Sequence, residues 1–172
     1  TFTTLKDGIP GNWTEANEDF FHYSNGYKNF LKELKSLGFK PGVWVSPFWF
    51  FGEADNVLEE NRENLLRDCK GDPIHYTMDW TGNVADTSYM SRLNQYFLDG
   101  THPKTVDYVK KIFSYNREIG VRFYMLDFLR VPTNSCPRDP SQTPLQAAGN
   151  ILKVIRESAG DDTHLQKAVF SN

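Results

Sequence analysis

Three times along this chain an amphipathic helical stretch runs into a glycine and then into a short apolar strand. Helices that alternate with strands apolar on both faces call for a parallel sheet covered by helices. In "YKNFLKELKSLGFKPGVWV", Tyr27, Phe30, Leu31, Leu34 and Leu37 recur at helical spacing with Lys and Glu opposite them. Gly38 suits the left-handed position past a helix end, and Val43-Trp44-Val45 begins a strand. In "HPKTVDYVKKIFSYNREIGVRFYMLDFL", Pro103 fits the first helical position and Val106, Val109, Ile112 and Phe113 make the buried stripe. Gly120 ends that helix, and residues 121–128 read as a strand. In "TPLQAAGNILKVIRESAGDDTHLQKAVF", Thr143 caps, Pro144 starts, and Gly160 stops a helix predicted to bury Leu145, Ala148, Ile151, Leu152 and Ile155. A further strand is predicted over Asn94–Leu98 and a further helix over Ala54–Cys69, while residues 70–93 form an excursion with room for a hairpin.

Such repeats build either a doubly wound sheet or a (β/α)8 barrel. No glycine-rich phosphate loop of either common pattern occurs, which argues against a nucleotide site. The 172 residues suffice for one domain. A net charge of −3, with no basic run longer than two residues, argues against a nucleic-acid partner. No stretch approaches the roughly 18 apolar residues of a membrane span. The sequence starts at Thr1 and stops after "KAVFSN", where a strand is beginning, so a segment of a longer protein is expected. Compartment and oligomeric state are open.

Cys69 and Cys136 match no metal or redox spacing and are expected as two free thiols, with a single disulfide as the alternative. The four histidines are scattered, with no helical i,i+4 pair and no nearby Cys, so no zinc site is expected. Asn12-Trp13-Thr14 is a glycosylation sequon, relevant only to a secreted eukaryotic protein.

"GVRFYMLDFLR", residues 120–130, places a carboxylate at the end of an apolar strand. In α/β folds, function gathers at the carboxyl ends of parallel strands. Asp127 is therefore either a structural acceptor for the amides of the next loop or a catalytic group. Asp99, closing "NQYFLD", has the same two readings, the turn-forming one being favoured. Arg130 lies on the same face and could hold an anion or a carboxylate, and Arg138 reads as a solvated loop residue. The aromatic run Phe48–Phe51 could stack on sugar faces, but four consecutive apolar residues read more readily as core plus one exposed ring.

The order of these fragments resembles the catalytic barrel of clan D α-glycosidases, nearest to the α-galactosidases of glycoside hydrolase family 36, from about Gly11 to Leu165. "GNWTEANEDFF" is similar to that family's Gly-Asp-Trp stretch, and "GVWVSPF" to its Gly-x-Trp-x-x-Pro strand. "QYFLDGTHPKTVDYVKKIF" and "IRESAGDDTHL" resemble further strand and helix segments, and "GVRFYMLDFLR" resembles the Lys-x-Asp nucleophile strand. The resemblance implies an α/β fold, a (β/α)8 TIM barrel of which this chain, all 172 residues, is a part of a single catalytic domain holding strands two to five. It implies a retaining glycoside hydrolase for α-linked, galactoside-like sugars, needing no cofactor. Asp127 would be the nucleophile, the acid/base partner would lie outside this chain, and Trp49, Asp99, Met125 and Arg130 would meet the substrate. Such a chain is expected not to hydrolyse glycosides by itself. Met125 stands where the family has Lys, Phe48-Trp49 where many relatives have Glu-Met, and Asn12 where they have Asp. A sugar-binding barrel without catalysis, and a complete small doubly wound domain of unrelated function, are the alternatives.

Overall fold

The computed structural model describes residues 11–21, 26–52, 55–77, 94–132 and 134–168. They form two three-stranded sheets. The first is parallel, with β1 (Gly42–Val45), β5 (Phe123–Leu126) and β6 (His164–Lys167) in the order β1-β5-β6. The second is antiparallel, with β2 (Trp49–Phe51), β3 (His75–Thr77) and β4 (Asn94–Phe97) in the order β2-β4-β3.

Helix α1 (Tyr27–Ser36) precedes β1, α3 (Pro103–Glu118) precedes β5, and α4 (Pro144–Ala159) precedes β6, as the three repeats require. Pro103 and Pro144 both occupy first helical turns. Thr143 caps α4 through a reciprocal box with Gln146, while His102 Nδ1 accepts from the Lys104 N–H to cap α3. Gly38, Gly120 and Gly160 have φ of 85°, 105° and 81°, the left-handed region in which a side chain is costly.

One face of the parallel sheet carries the main core. Val109, Ile112 and Phe113 of α3 and Ala148, Ile151 and Ile155 of α4 pack with Val45, Tyr124 and Leu126. Burying each such Val, Leu, Ile or Phe side chain stabilises the fold by about 1.5–3 kcal/mol. Leu145 and Leu152, predicted buried, are 81% and 39% exposed on α4, and Leu37 is 72% exposed past the end of α1. The stripe that the neighbours cover is narrower than the apolar run in sequence.

Three further expectations are corrected. The strand at 94–98 does not join the parallel sheet. Burial alternates along it, Gln95 and Phe97 being buried and Asn94 and Tyr96 half-buried, as suits an antiparallel pair, whereas parallel strands buried on both faces read as continuous apolar runs. The helix predicted over 54–69 is short: α2 spans Asp55–Asn61, followed by a 3-10 turn at Arg62–Asn64. Leu65 then bridges to Leu98, and the Leu66 N–H donates to Phe97 O, so the leucine pair runs as extended chain. Leu65 packs with Phe50, Val57 and Leu98, and Leu66 with Trp49, Phe51, Ile74 and Phe97, the two-sided burial of a strand. Finally, Cys69 and Cys136 are joined in a disulfide. Of the excursion at 70–93, residues 75–77 form β3, and 78–93 lie outside the described residues.

Candidate active site

β5 lies between β1 and β6, so its backbone is held on both sides. Its side chains alternate. Tyr124 and Leu126 face the helices in the main core, and Phe123, Met125 and then Asp127 face the other way. The register brings Gly42 and His164 beside Phe123, and Trp44 and Gln166 beside Met125. Gly42 is required there, because a Cβ would lie 2.7 Å from the Phe123 ring. Phe123 and His164 stack with ring centroids 5.2 Å apart.

Asp127 is the residue after β5, and its N–H donates to Val45 O at 3.0 Å, which continues the ladder by one step. The side chain is 4% exposed. Oδ2 accepts from Trp44 Nε1 at 2.9 Å, and Oδ1 accepts from the Phe128 N–H at 2.7 Å. Two N–H groups from different parts of the chain thus converge on the carboxylate and fix its rotation. Phe128 has φ 49°, the one positive value outside glycine among the described residues. A non-glycine residue is held there only when its surroundings over-determine it. Here the ring packs edge-on against Trp49 at 4.8 Å and Trp44 at 6.1 Å.

The other candidates fall in different places. Trp49 is 1% exposed and packs between Phe51 and Phe128. All four rings from Phe48 to Phe51 are buried, so the exposed ring expected in this run is not found. Asp99 is buried at the start of the turn before α3. Its Oδ1 accepts from the Thr101 N–H and hydroxyl at 2.9 and 2.7 Å, and its Oδ2 from the Arg138 N–H at 2.7 Å, which is a turn-forming arrangement. Arg138 Nη1 also lies 2.7 Å from His102 Nε2, and burial together with that guanidinium holds the imidazole below its ordinary range. Met125 shares the face of Asp127 and is half-buried, and Arg130 is exposed.

Trp44 was missed as a site residue, although the signal was present. It occupies the Trp position of the Gly-x-Trp-x-x-Pro strand, and in a parallel pair of this register it shares a face with Met125 and Asp127. Among the described residues no cluster of three metal-ligating side chains occurs, and no helix is long and apolar enough to cross a membrane.

No family model matches the chain. Solved structures share its fold. It superposes on an α-galactosidase from Thermus thermophilus in complex with stachyose with a TM-score of 0.70 at 20% identity, over 95% of this chain and 31% of that one. For a GH36 α-galactosidase from Geobacillus stearothermophilus the TM-score is 0.62 at 18% identity, over 91% of this chain and 20% of that one. A GH31 sulfoquinovosidase from E. rectale gives 0.58 at 17%, over 82% and 21%. The fold is that of an α-galactosidase segment. This chain spans less than a third of the length of the enzymes it matches.

Proposed function

We propose that this chain is part of a retaining glycoside hydrolase for α-linked, galactoside-like sugars, with Asp127 as the nucleophile. The observation that carries the reading is the setting of Asp127. A buried carboxylate, oriented by Trp44 Nε1 and the Phe128 N–H, stands at the carboxyl end of the middle strand of a parallel sheet. The likeness to α-galactosidases supports it. On this reading β1, β5 and β6 are neighbouring staves of a (β/α)8 barrel, three rather than the four expected, with the Asp127 face toward the barrel axis.

In a retaining mechanism two carboxyl groups stand about 5–5.5 Å apart. Asp127 attacks the anomeric carbon, the bond to the leaving oxygen breaks, and a partner acid outside this chain gives that oxygen its proton. Water activated by the same partner then opens the glycosyl ester. The contribution of this chain is positional. The ladder fixes the backbone of Asp127 and two N–H groups fix its oxygens, so little freedom is lost when a sugar arrives. Met125 and Arg130 are assigned to the substrate side of the site.

The test is covalent trapping. In a longer chain that turns over an aryl α-galactoside, a fluorinated sugar should label the peptide carrying Asp127, and Asp127→Asn should lower kcat by several powers of ten. A label on Asp99, or near-normal turnover by Asp127→Asn, removes the assignment.

A further inference from the structure

The stretch that follows Asp127 is fastened to the second sheet at several points. Phe128 and Val131 pack in the cluster of Trp49, Phe51, Leu66, Ile74 and Phe97. Further on, Ser135 bridges to Asp68, the Cys136 N–H donates to Arg67 O at 2.9 Å, and Cys136 is bonded to Cys69. Both cysteines are exposed, and 67 positions separate them. The bond therefore encloses β3, β4, α3 and β5, and it lies on the same stretch whose first residue, Phe128, supplies an N–H to Asp127.

We propose that Cys69–Cys136 is a thiol-accessible latch on the candidate site. Closed, it holds the residues after β5 against the second sheet and keeps Phe128 at its positive φ. Opened, it leaves the packing of Phe128 and Val131, the Ser135–Asp68 bridge with the Cys136 N–H on Arg67 O, and the Arg138 and Asp139 N–H groups on Asp99 and Thr101, so the stretch loosens without unfolding the domain. The opening step balances with a small dithiol as reductant. Its thiolate attacks one cysteine sulfur, the S–S bond breaks, and a mixed disulfide forms. The second thiol of the reagent displaces that sulfur, leaving two protein thiols and a cyclic oxidised reagent, so two electrons and two protons pass to the protein. The consequence for turnover rests on Asp127 being the nucleophile, whereas the loosening does not.

Hydrogen exchange read by mass spectrometry separates the two. The chain is compared oxidised, reduced with dithiothreitol under native conditions and alkylated with iodoacetamide, and as the Cys69→Ser/Cys136→Ser variant. Peptides over 127–132 should exchange about tenfold faster in the reduced and serine forms, while α3 and α4 keep their protection. Unchanged exchange at 127–132 overturns the latch. So does an equal loss of protection in α3 and α4, which would make the bond a global staple, or a bond that resists dithiothreitol until denaturant is added. In a longer chain active on an aryl α-galactoside, reduction should lower kcat severalfold and reoxidation should restore it. Faster exchange with unchanged turnover cuts the tie between latch and site, whereas a fluorinated-sugar label away from Asp127 in the same chain counts against the nucleophile assignment alone.

Discussion

Asp127→Asn keeps the shape of the side chain but not its acceptors. Both carboxylate oxygens accept a hydrogen bond, one from Trp44 Nε1 and one from the Phe128 N–H. An asparagine has one acceptor, so either way round it turns its NH2 toward one of these donors. A hydrogen bond to a charged group is worth about 1.5–3 kcal/mol, and an unsatisfied buried donor costs about 1–3 kcal/mol. A loss of about 2 kcal/mol is expected, which lowers Tm by about 4–8 °C for a domain of this size. Trp44→Phe keeps an aromatic ring and removes the indole donor, with a loss of similar size. In the double variant the asparagine oxygen accepts from the Phe128 N–H, and its NH2 meets a phenyl ring instead of a donor. The second substitution should then cost little, leaving the double variant within about 2 °C of Trp44→Phe alone. Thermal unfolding by circular dichroism on the four proteins closes the cycle. Additive Tm losses, or an Asp127→Asn protein as stable as the parent, would refute the two-donor geometry whatever the chain catalyses.

Phe128→Gly should be more stable than Phe128→Ala by about 1 kcal/mol, the reverse of the usual order, because only glycine occupies φ 49° without strain; equal Tm values would count against the backbone assignment. Gly100→Ala would put a Cβ 2.9 Å from Ala147 O and 3.1 Å from Ile151 Cγ1, so a loss of about 1–3 kcal/mol in urea unfolding is expected, and a neutral result would mean that α4 does not sit against this turn. Burial pushes the Tyr27 hydroxyl up to about 12. A folded value above the unfolded one leaves stability intact below about pH 10, and the loss then grows as pH rises toward 12. Tyr27→Phe should flatten that part of the stability profile, and an unaltered profile would exclude Tyr27 as a cause. Met125 cannot donate the hydrogen bonds of the lysine it stands for, so an active longer chain should prefer a sugar other than galactose on a panel of aryl glycosides, and exclusive α-galactosidase activity would refute this.

The parallel layer was legible in the sequence because its signals are local. Pro103, Thr143, Gly120 and Gly160 mark helix ends by backbone chemistry that needs no partner. The place of Asp127 at the end of a buried strand was legible because the residues before it are apolar. Pairing was harder to read. Asn94–Phe97 is a strand in both readings, but its partners, β2 and β3, are set by contacts distant in sequence. Leu65 and Leu66 fit a helical pattern and are drawn out of it by the strand they meet, an instance of tertiary contacts overriding local propensity. The disulfide, the less favoured alternative on sequence, is hard to read for the same reason, since two cysteines 67 positions apart carry no spacing signal. The run Phe48–Phe51 suggests one exposed ring because neighbouring aromatic residues look excessive until a second sheet is available to bury them.

The alternation along β5 separates two kinds of selection on four consecutive positions. Tyr124 and Leu126 answer to the helices, where a change of one methylene is felt throughout the packed core. Met125 and Asp127 answer to the opposite face, where Trp44 is the neighbour of both. Substitution at 125, or at its cross-strand neighbour Gln166, therefore changes that face without reopening the question of how the chain folds. Drift in preference and retention of architecture are compatible here because a strand presents them on opposite sides of one backbone.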